Sequence, residues 1–261
     1  MCYNEQCEKN IREGWTVQKI LSHVRRCVED FHMIEPGDRV AVGVSGGKDS
    51  LVTLCALARL AKFYPSPFTV QAISLDLGYA EMDFSPVARL CETLEVPYQV
   101  VKTDIKTVVF DVRKEENPCS LCANMRRGAL NNAALAAGCN KVALGHHLDD
   151  AVDTFLLSLI YEGRLSCFSP YTYLDRTGVY VMRPLLYCRE FEIAGYAKRA
   201  ELPIVKNACP ADKDSKRKRV REIADTLKLE RADIYEKVFG AMRRLPLPGW
   251  ETDEEGKGEH S

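Results

Sequence analysis

The sequence predicts an α/β fold: a doubly wound, mostly parallel sheet with flanking N- and C-terminal helices. Three observations predict it. Short apolar runs of four to seven residues alternate with segments of helical periodicity, as expected of strands buried on both faces. The first run, Val40–Val44, ends in Ser45-Gly46-Gly47-Lys48-Asp49-Ser50, and a long apolar-periodic segment follows. Three chemically loaded turns, at Ser45–Ser50, Asp76–Gly78 and Gly145–Asp150, each follow an apolar run. Parallel sheets bind ligands at the carboxyl ends of their strands, so three such turns describe one site.

The elements follow in order. Trp15 to Phe31 carries apolar residues at helical spacing, and Glu35-Pro36-Gly37-Asp38 breaks the pattern. Arg39 to Val44 is the first strand, and Leu51 to Phe63 is the helix behind the glycine turn, stopped by Tyr64-Pro65-Ser66-Pro67. Thr69 to Leu75 is the second strand. Ser85-Pro86 supplies N-cap and first-turn chemistry for a helix reaching Glu95. Tyr98 to Thr103 and Lys141 to Leu144 are the third and fourth strands, with a helix from Ala123 to Ala137 between them and another from Asp150 to Tyr161 beyond. Ser166 to Tyr187 resembles a meander around Val179–Pro184. Helices are then expected over Glu190–Glu201, Ser215–Leu227 and Arg231–Arg243. The domain reading is an N-terminal helical extension at 1–35, an α/β domain at 36–189, a C-terminal helical region at 190–247 and an acidic, disordered tail at 248–261.

Composition is that of a soluble globular protein, with 46% hydrophobic and 28% charged residues and a net charge of −1. No stretch approaches the roughly 20 apolar residues of a membrane span. The N-terminus lacks a signal-peptide core, so a cytoplasmic protein with no membrane partner is expected. The charge is unevenly spread. Without the five acids and one base after Leu247, 35 bases and 32 acids remain, and the excess gathers at Lys213, Lys216, Arg217, Lys218, Arg219 and Arg221. Such a run is usually a solvated helix face, but it can also hold nucleic-acid phosphates.

The glycine turn carries the strongest signal. Two glycines let the main chain approach an anion closely, and the following helix aims free N–H groups and its positive dipole end at the same point. A Walker A loop would need Gly at Val42 and Ser or Thr at Asp49, and the dinucleotide fingerprint fails at Ser45. An acid inside a phosphate loop makes sense where Asp49 helps to hold magnesium. At the turn after the fourth strand, Gly145 and His146 are candidates for phosphate contact and Asp150 for positioning the metal. Asp76 completes the strand-end set.

The chain has 11 cysteines and no export signal, so a disulfide framework is not expected. Cys27, Cys55, Cys91 and Cys139 lie in apolar or small-residue stretches and read as core packing. Cys119-Ser-Leu-Cys122 opens a helix, where the dipole favours thiolate. The pair alone fits a redox couple, half a zinc site or packing. Three cysteines suit a 4Fe–4S cluster with one iron left open, and Cys209 is the best third ligand. Arg126 and Arg127 lie one turn beyond Cys122, so at least one can face such a cluster and a leaving pyrophosphate.

Ser-Gly-Gly-Lys-Asp-Ser, Cys-Ser-Leu-Cys-x-x-x-Arg-Arg-Gly and Leu-Gly-His-His-x-Asp-Asp, in this order between Arg39 and Arg221, resemble the TtcA family of tRNA 2-thiocytidine synthetases. The first motif is similar to the PP-loop of ATP pyrophosphatases. The resemblance implies an adenine nucleotide α-hydrolase-like fold, ATP, Mg2+, a 4Fe–4S cluster on Cys119, Cys122 and Cys209, and a tRNA anticodon-loop cytidine as substrate. The PP-loop role falls on Ser45, Gly46, Gly47, Lys48, Asp49 and Ser50, and catalytic roles on Asp49, Asp150 and Arg126. Cys209-Pro-Ala-Asp differs from the Cys-Gly-Ser context of the family. The related 2-thiouridine synthetases carry terminal zinc ribbons, for which this chain has only Cys2 and Cys7 at one end. The expected reaction is adenylation of the base's C2 oxygen followed by sulfur insertion, fed by a sulfur donor system such as a cysteine desulfurase. A thiolase for a uridine or a small molecule, and a non-catalytic iron–sulfur or nucleotide-binding regulator, are the rivals. The oligomeric state is left open, a homodimer included.

Overall fold

The structure, a computed structural model, describes residues 17–78, 82–112, 118–205, 215–244 and 247–252. Six strands, β1 (Arg39–Gly43), β2 (Thr69–Asp76), β3 (Tyr98–Lys102), β4 (Lys141–Ala143), β5 (Tyr171–Leu174) and β6 (Val179–Met182), form one sheet. Their order is β3-β2-β1-β4-β6-β5. Every pairing is parallel except that of edge strand β5 with β6. The chain therefore winds outward through β2 and β3, then returns to the other side of β1 with β4. That reversal leaves a crevice between the carboxyl ends of β1 and β4, the place where such sheets bind ligands.

Eight α-helices surround the sheet among the described residues: α1 (Val17–Asp30), α2 (Lys48–Leu60), α3 (Ser85–Leu94), α4 (Pro118–Ala136), α5 (Leu148–Leu157), α6 (Glu190–Arg199), α7 (Ser215–Glu230) and α8 (Ile234–Arg244). Strand alternation divides the core. Val40 and Val42 point into a large cluster with α1, α2, α6 and α8, whereas Ala41 joins Ile73, Leu130, Ala134 and Val142 under α4 on the other face. Helix α2 is nearly all buried from Ser50 to Leu60, which explains its continuous apolar sequence. The core runs through the limits expected at residues 35 and 189, since Val24 and Val28 of α1 and Phe239 and Met242 of α8 share one cluster with the sheet.

Some expectations are corrected. Helix α4 opens at Pro118 rather than Ala123, because proline's fixed φ suits a first helical turn; Cys119 and Cys122 therefore lie inside the helix. The helix expected to reach Tyr161 ends at Leu157 and continues as a π-helical turn, Ser158–Glu162, to a left-handed Gly163. The wider turn shifts the side-chain phase and leaves Leu159, Ile160 and Tyr161 exposed. A second π-helical turn, Thr107–Val112, had no forecast in the sequence. The meander is the antiparallel pair β5–β6. The tail does not begin at Pro248: Trp250 is 1% exposed, in edge-on contact with Phe31 and Phe239, and its Nε1 donates to the Phe168 carbonyl at 3.2 Å. Its indole combines a large apolar body with a satisfied N–H, which outweighs the acidic context. The rest of that segment, 253–261, lies outside the described residues. The cysteines read as packing, Cys27, Cys55, Cys91 and Cys139, are buried. Burial pushes the Cys91 thiol up to about 12.

Candidate active site

The loop after β1 is shaped by two serines and a glycine. Ser50 Oγ donates to the Gly47 carbonyl at 2.8 Å and accepts from the Ser45 N–H at 3.2 Å, closing the turn on itself. Gly46 has φ +82°, and a Cβ there would stand 2.9 Å from Val205 Cβ. Val205 N donates to the Gly46 carbonyl at 3.0 Å. Gly47 caps α2 in an extended conformation without a side-chain hydrogen bond. The first N–H groups of α2 are thus left to an anion rather than to the chain's own side chains.

Two acids from two strand ends meet at one imidazole. Asp49 lies in the first turn of α2, and His147 caps α5. The Asp150 N–H donates to His147 Nδ1 at 3.4 Å, and Asp150 Oδ2 accepts from the His147 N–H at 3.2 Å. Because Nδ1 is an acceptor, the neutral ring carries its proton on Nε2. That atom stands 3.4 Å from Asp150 Oδ2 and 3.9 Å from Asp49 Oδ1. Asp49 Oδ1 is buried and accepts no hydrogen bond, while Lys48 Nζ lies 3.1 Å from it without hydrogen-bond geometry. A buried carboxylate oxygen lacking a hydrogen bond, with a second carboxylate across the same imidazole, suits a hard divalent cation.

Gly145 explains how the two ends come so close. A Cβ at this position would meet the Asp49 carbonyl carbon at 2.9 Å and the Ser50 nitrogen at 3.0 Å. Backbone packs on backbone there, so a side chain would force the β4 turn away from the loop.

Around this centre runs a set of ion pairs that sequence reasoning missed. Lys48 Nζ donates to Glu190 Oε1 at 3.1 Å. Burial opposes the Lys48 charge, but Asp49 and Glu190 outweigh it and hold the pKa above the ordinary lysine value. Burial likewise opposes the Glu190 charge, yet Lys48, His147 and Arg221 hold its pKa below the usual carboxylate range. Asp149 is fully engaged: Arg189 Nε reaches its two oxygens at 3.3 and 3.2 Å, and the Glu190 N–H donates to Oδ2 at 2.8 Å. Arg221 donates from Nε to the buried Asp153 at 2.6 Å and lies 3.8 Å from Asp150 Oδ1. Tyr235 also donates to Asp153, at 3.2 Å. Burial still leaves the Asp153 pKa above the ordinary value. These partners lie 40 to 142 residues apart, so no local spacing could reveal them. The one available signal was the cluster of charges opening α6, Arg189-Glu190.

The remaining candidates are placed as follows. Asp76 ends β2, where its Oδ1 accepts from the Gly78 N–H at 3.0 Å and its carbonyl accepts from the Thr103 N–H at 2.9 Å. His146 lies beside Phe168, with ring centroids 5.0 Å apart. Cys122 is buried with Leu77, Ile105 and Val109, just past the end of β2. Its thiol therefore belongs to the same sheet edge as the loop, in an apolar niche that suits a cluster ligand. The Cys119 side chain and Cys209 lie outside the described residues, and among the described residues no three His, Cys, Asp or Glu side chains converge on a metal. Cys209 follows Val205, the residue bonded to Gly46, by four positions in the chain. Arg126 is half-buried and Arg127 exposed. Of the basic run, Lys216, Lys218 and Arg219 are exposed. Arg221 departs from that face, being drawn to Asp153, while Lys213 and the Arg217 side chain lie outside the described residues.

Comparison with known proteins gives the family. Residues 18–227 match the PP-loop domain family ATP_bind_3. The chain is 35% identical over 229 residues to a tRNA-cytidine(32) 2-sulfurtransferase of Ralstonia pickettii, covering 87% of this chain and 73% of the relative. It is 36% identical to the protein of that name from Geobacter metallireducens, covering 87% of this chain and 90% of the relative. Among solved structures, it superposes with a TM-score of 0.72 and 27% identity on the U34-tRNA thiolase NcsA of Methanococcus maripaludis, which carries a 4Fe–4S cluster. That match covers 88% of this chain and 78% of NcsA. Among the described residues no helix is long and apolar enough to cross a membrane.

Proposed function

The chain belongs to the PP-loop family whose curated relatives are tRNA-cytidine(32) 2-sulfurtransferases, and from that membership we propose that it uses ATP to replace the C2 oxygen of a tRNA cytidine by sulfur. It is a sulfur-transferring enzyme with ATP pyrophosphatase chemistry. The observation that carries the reading is the meeting of Asp49 and Asp150 around His147 Nε2, above uncapped α2 N–H groups.

ATP lies with its phosphates against Ser45–Ser50. The α2 N–H groups and Lys48 take the charge that builds on departing pyrophosphate, and Asp49 and Asp150 would hold Mg2+. The base's C2 oxygen attacks the α-phosphorus, the bond to pyrophosphate breaks, and the base becomes O-adenylated. A cytosine carbonyl carries no proton on this oxygen, so the step needs no general base. It needs in-line placement and charge stabilisation, which is what the loop and the half-buried Arg126 provide. Adenylation turns a poor leaving group into AMP. Cys119, Cys122 and Cys209 would hold the 4Fe–4S cluster, whose chemistry supplies the sulfur that takes the oxygen's place. Asp76, at the end of β2, and His146, beside Gly145, are further contacts for the nucleotide. A cysteine desulfurase would restore the sulfur, and the enzyme would act in the cytoplasm, as a monomer or homodimer.

Pyrophosphate release measured with and without tRNA tests the reading. Asp49→Asn should abolish release while leaving the cluster's absorption spectrum intact, and Cys122→Ala should do the reverse. Thiolation that survives Cys122→Ala would overturn the cluster assignment. A 2-thiouridine product is the second reading, favoured by the likeness to NcsA; mass analysis of nucleosides from tRNA treated with the enzyme separates the two.

A further inference from the structure

Lys48 is held from outside its own loop. It is the first residue of α2, and its flexible stem carries an ammonium with three rotatable donors. One donor goes to Asp49 Oδ2 at 3.3 Å and a second to Glu190 Oε1 at 3.1 Å. Glu190 lies 142 residues further along the chain, as the first residue of α6. Its backbone is pinned, because its N–H donates to Asp149 Oδ2 at 2.8 Å and the preceding Arg189 binds the same carboxylate. The two helices share one core, with Leu51 and Leu54 of α2 and Ile193 and Tyr196 of α6 in the same buried cluster. The chain returns to the loop beyond α6, where the Val205 N–H donates to the Gly46 carbonyl at 3.0 Å. The segment from 190 to 205 therefore meets the loop twice, at the main chain of Gly46 and at the ammonium of Lys48.

An ammonium on a flexible stem has no fixed direction, and ordering it only when a phosphate arrives costs affinity and places the charge poorly. Two acceptors from separate elements remove that freedom and leave the third N–H for a ligand oxygen. Asp49 does not suffice for this, since it neighbours Lys48 on the same helix turn and is shared with the cation proposed for Asp49 and Asp150. Glu190 comes from another helix and has Lys48 as its ion-pair partner. The Lys48 side chain is 28% exposed, so a phosphate oxygen can reach the ammonium from solvent. We propose that Glu190 is a positioning residue for the reaction: it sets the direction in which Lys48 presents its remaining donor to the pyrophosphate leaving ATP. This assignment rests on ATP as the ligand of the loop and pyrophosphate as the leaving group.

The test is pyrophosphate release by the full chain with ATP and unmodified tRNA transcript, together with equilibrium binding of labelled ATP. Glu190→Ala should lower kcat about tenfold, because Lys48 remains but is no longer aimed, while ATP affinity stays within about threefold of wild type. Glu190→Asp keeps an acid at the start of α6 but draws it back by one methylene, and should resemble Glu190→Ala. Glu190→Gln keeps the reach and an acceptor oxygen, and should recover most of the rate. If Glu190→Ala does not fold, the contrast between the Asp and Gln variants carries the test. In a Lys48→Ala background, measured in single turnovers, Glu190→Ala should cause no further loss, since it acts through Lys48. A rate unchanged in Glu190→Ala, or one that falls by the same factor with and without Lys48, overturns the proposal. So does tighter ATP binding with the rate kept, which would make Glu190 a competitor for Lys48 rather than its guide. Wild-type protein that releases no pyrophosphate sinks the functional reading and this assignment with it, an outcome distinct from the others.

Discussion

Arg221 donates its Nε to the carboxylate of Asp153 at 2.6 Å, and Asp153 is fully buried. This ion pair fastens α7, whose outer face carries Lys216, Lys218 and Arg219, to α5, whose first turn carries Asp150. Removing one partner of a buried pair costs more than the pair contributes, because the other charge is stranded. Arg221→Met should therefore destabilise the protein by about 2–3 kcal/mol, less than for a wholly buried pair because Arg221 is partly exposed. A thermal melt should show a drop of about 5–10 °C. The double variant Asp153→Asn/Arg221→Met should recover part of the loss, and no recovery would show that the pair is not the cause.

Gly145→Ala places a methyl group against the Asp49–Ser50 backbone. The neighbour is backbone of the loop itself, so it cannot yield without moving the N-terminus of α2. The expected outcome is a loss of pyrophosphate release of at least tenfold, from misplacement of the phosphate site, with little change in melting temperature. Labelled-ATP binding and a melt on the same sample check this; a fall in stability with ATP binding intact would count against it.

Glu192 links the start of α6 to α1. It accepts from Lys19 Nζ at 2.6 Å and from the Arg189 N–H at 3.0 Å. Burial opposes its charge, but Lys19, the Arg189 N–H and His23 outweigh it and bring the pKa below the ordinary 4.5. A carboxyl whose folded pKa is depressed contributes stability above its unfolded pKa and loses it as the pH falls through the folded value. The melting-temperature difference between wild type and Glu192→Gln should hold steady near neutrality and shrink below pH 4.5. A difference that grows in acid would reverse the sign and refute the assignment.

Trp250→Ala removes the aromatic plug between Phe31 and Phe239 together with the bond to the Phe168 carbonyl. Truncation of a buried tryptophan costs about 3–5 kcal/mol, a melting shift of about 10 °C. Trp250→Phe should cost clearly less. A variant as stable as wild type would mean that the C-terminal segment does not pack where the structure puts it.

Much of the fold was legible because its signals are local. The Val40–Val44 run and its glycines specify a strand, a turn and a helix start within a dozen residues, and apolar periodicity marked seven of the other helices. Gly145 was singled out only as a candidate phosphate contact; its closeness to the Asp49 backbone is a property of two strands meeting. The π-helical turns were not legible, since one extra residue per turn leaves no mark in an apolar pattern. Trp250 was misread because acidic neighbours lowered the mean hydropathy of a segment that one indole anchors.

By itself the sequence determined the chemistry: a loop that bares helix N–H groups, an acid inside it, and thiols on a helix start. Each depends on residue types at fixed short spacing, where covalent geometry alone sets the distance. Only the tertiary structure decided which charges pair with one another. It pairs Asp149 with Arg189 and Asp153 with Arg221, and it leaves Asp49 Oδ1 without a donor. The physical reason is that a buried charge is stable only beside its partner, and the partner comes from whichever strand end the sheet order sets alongside.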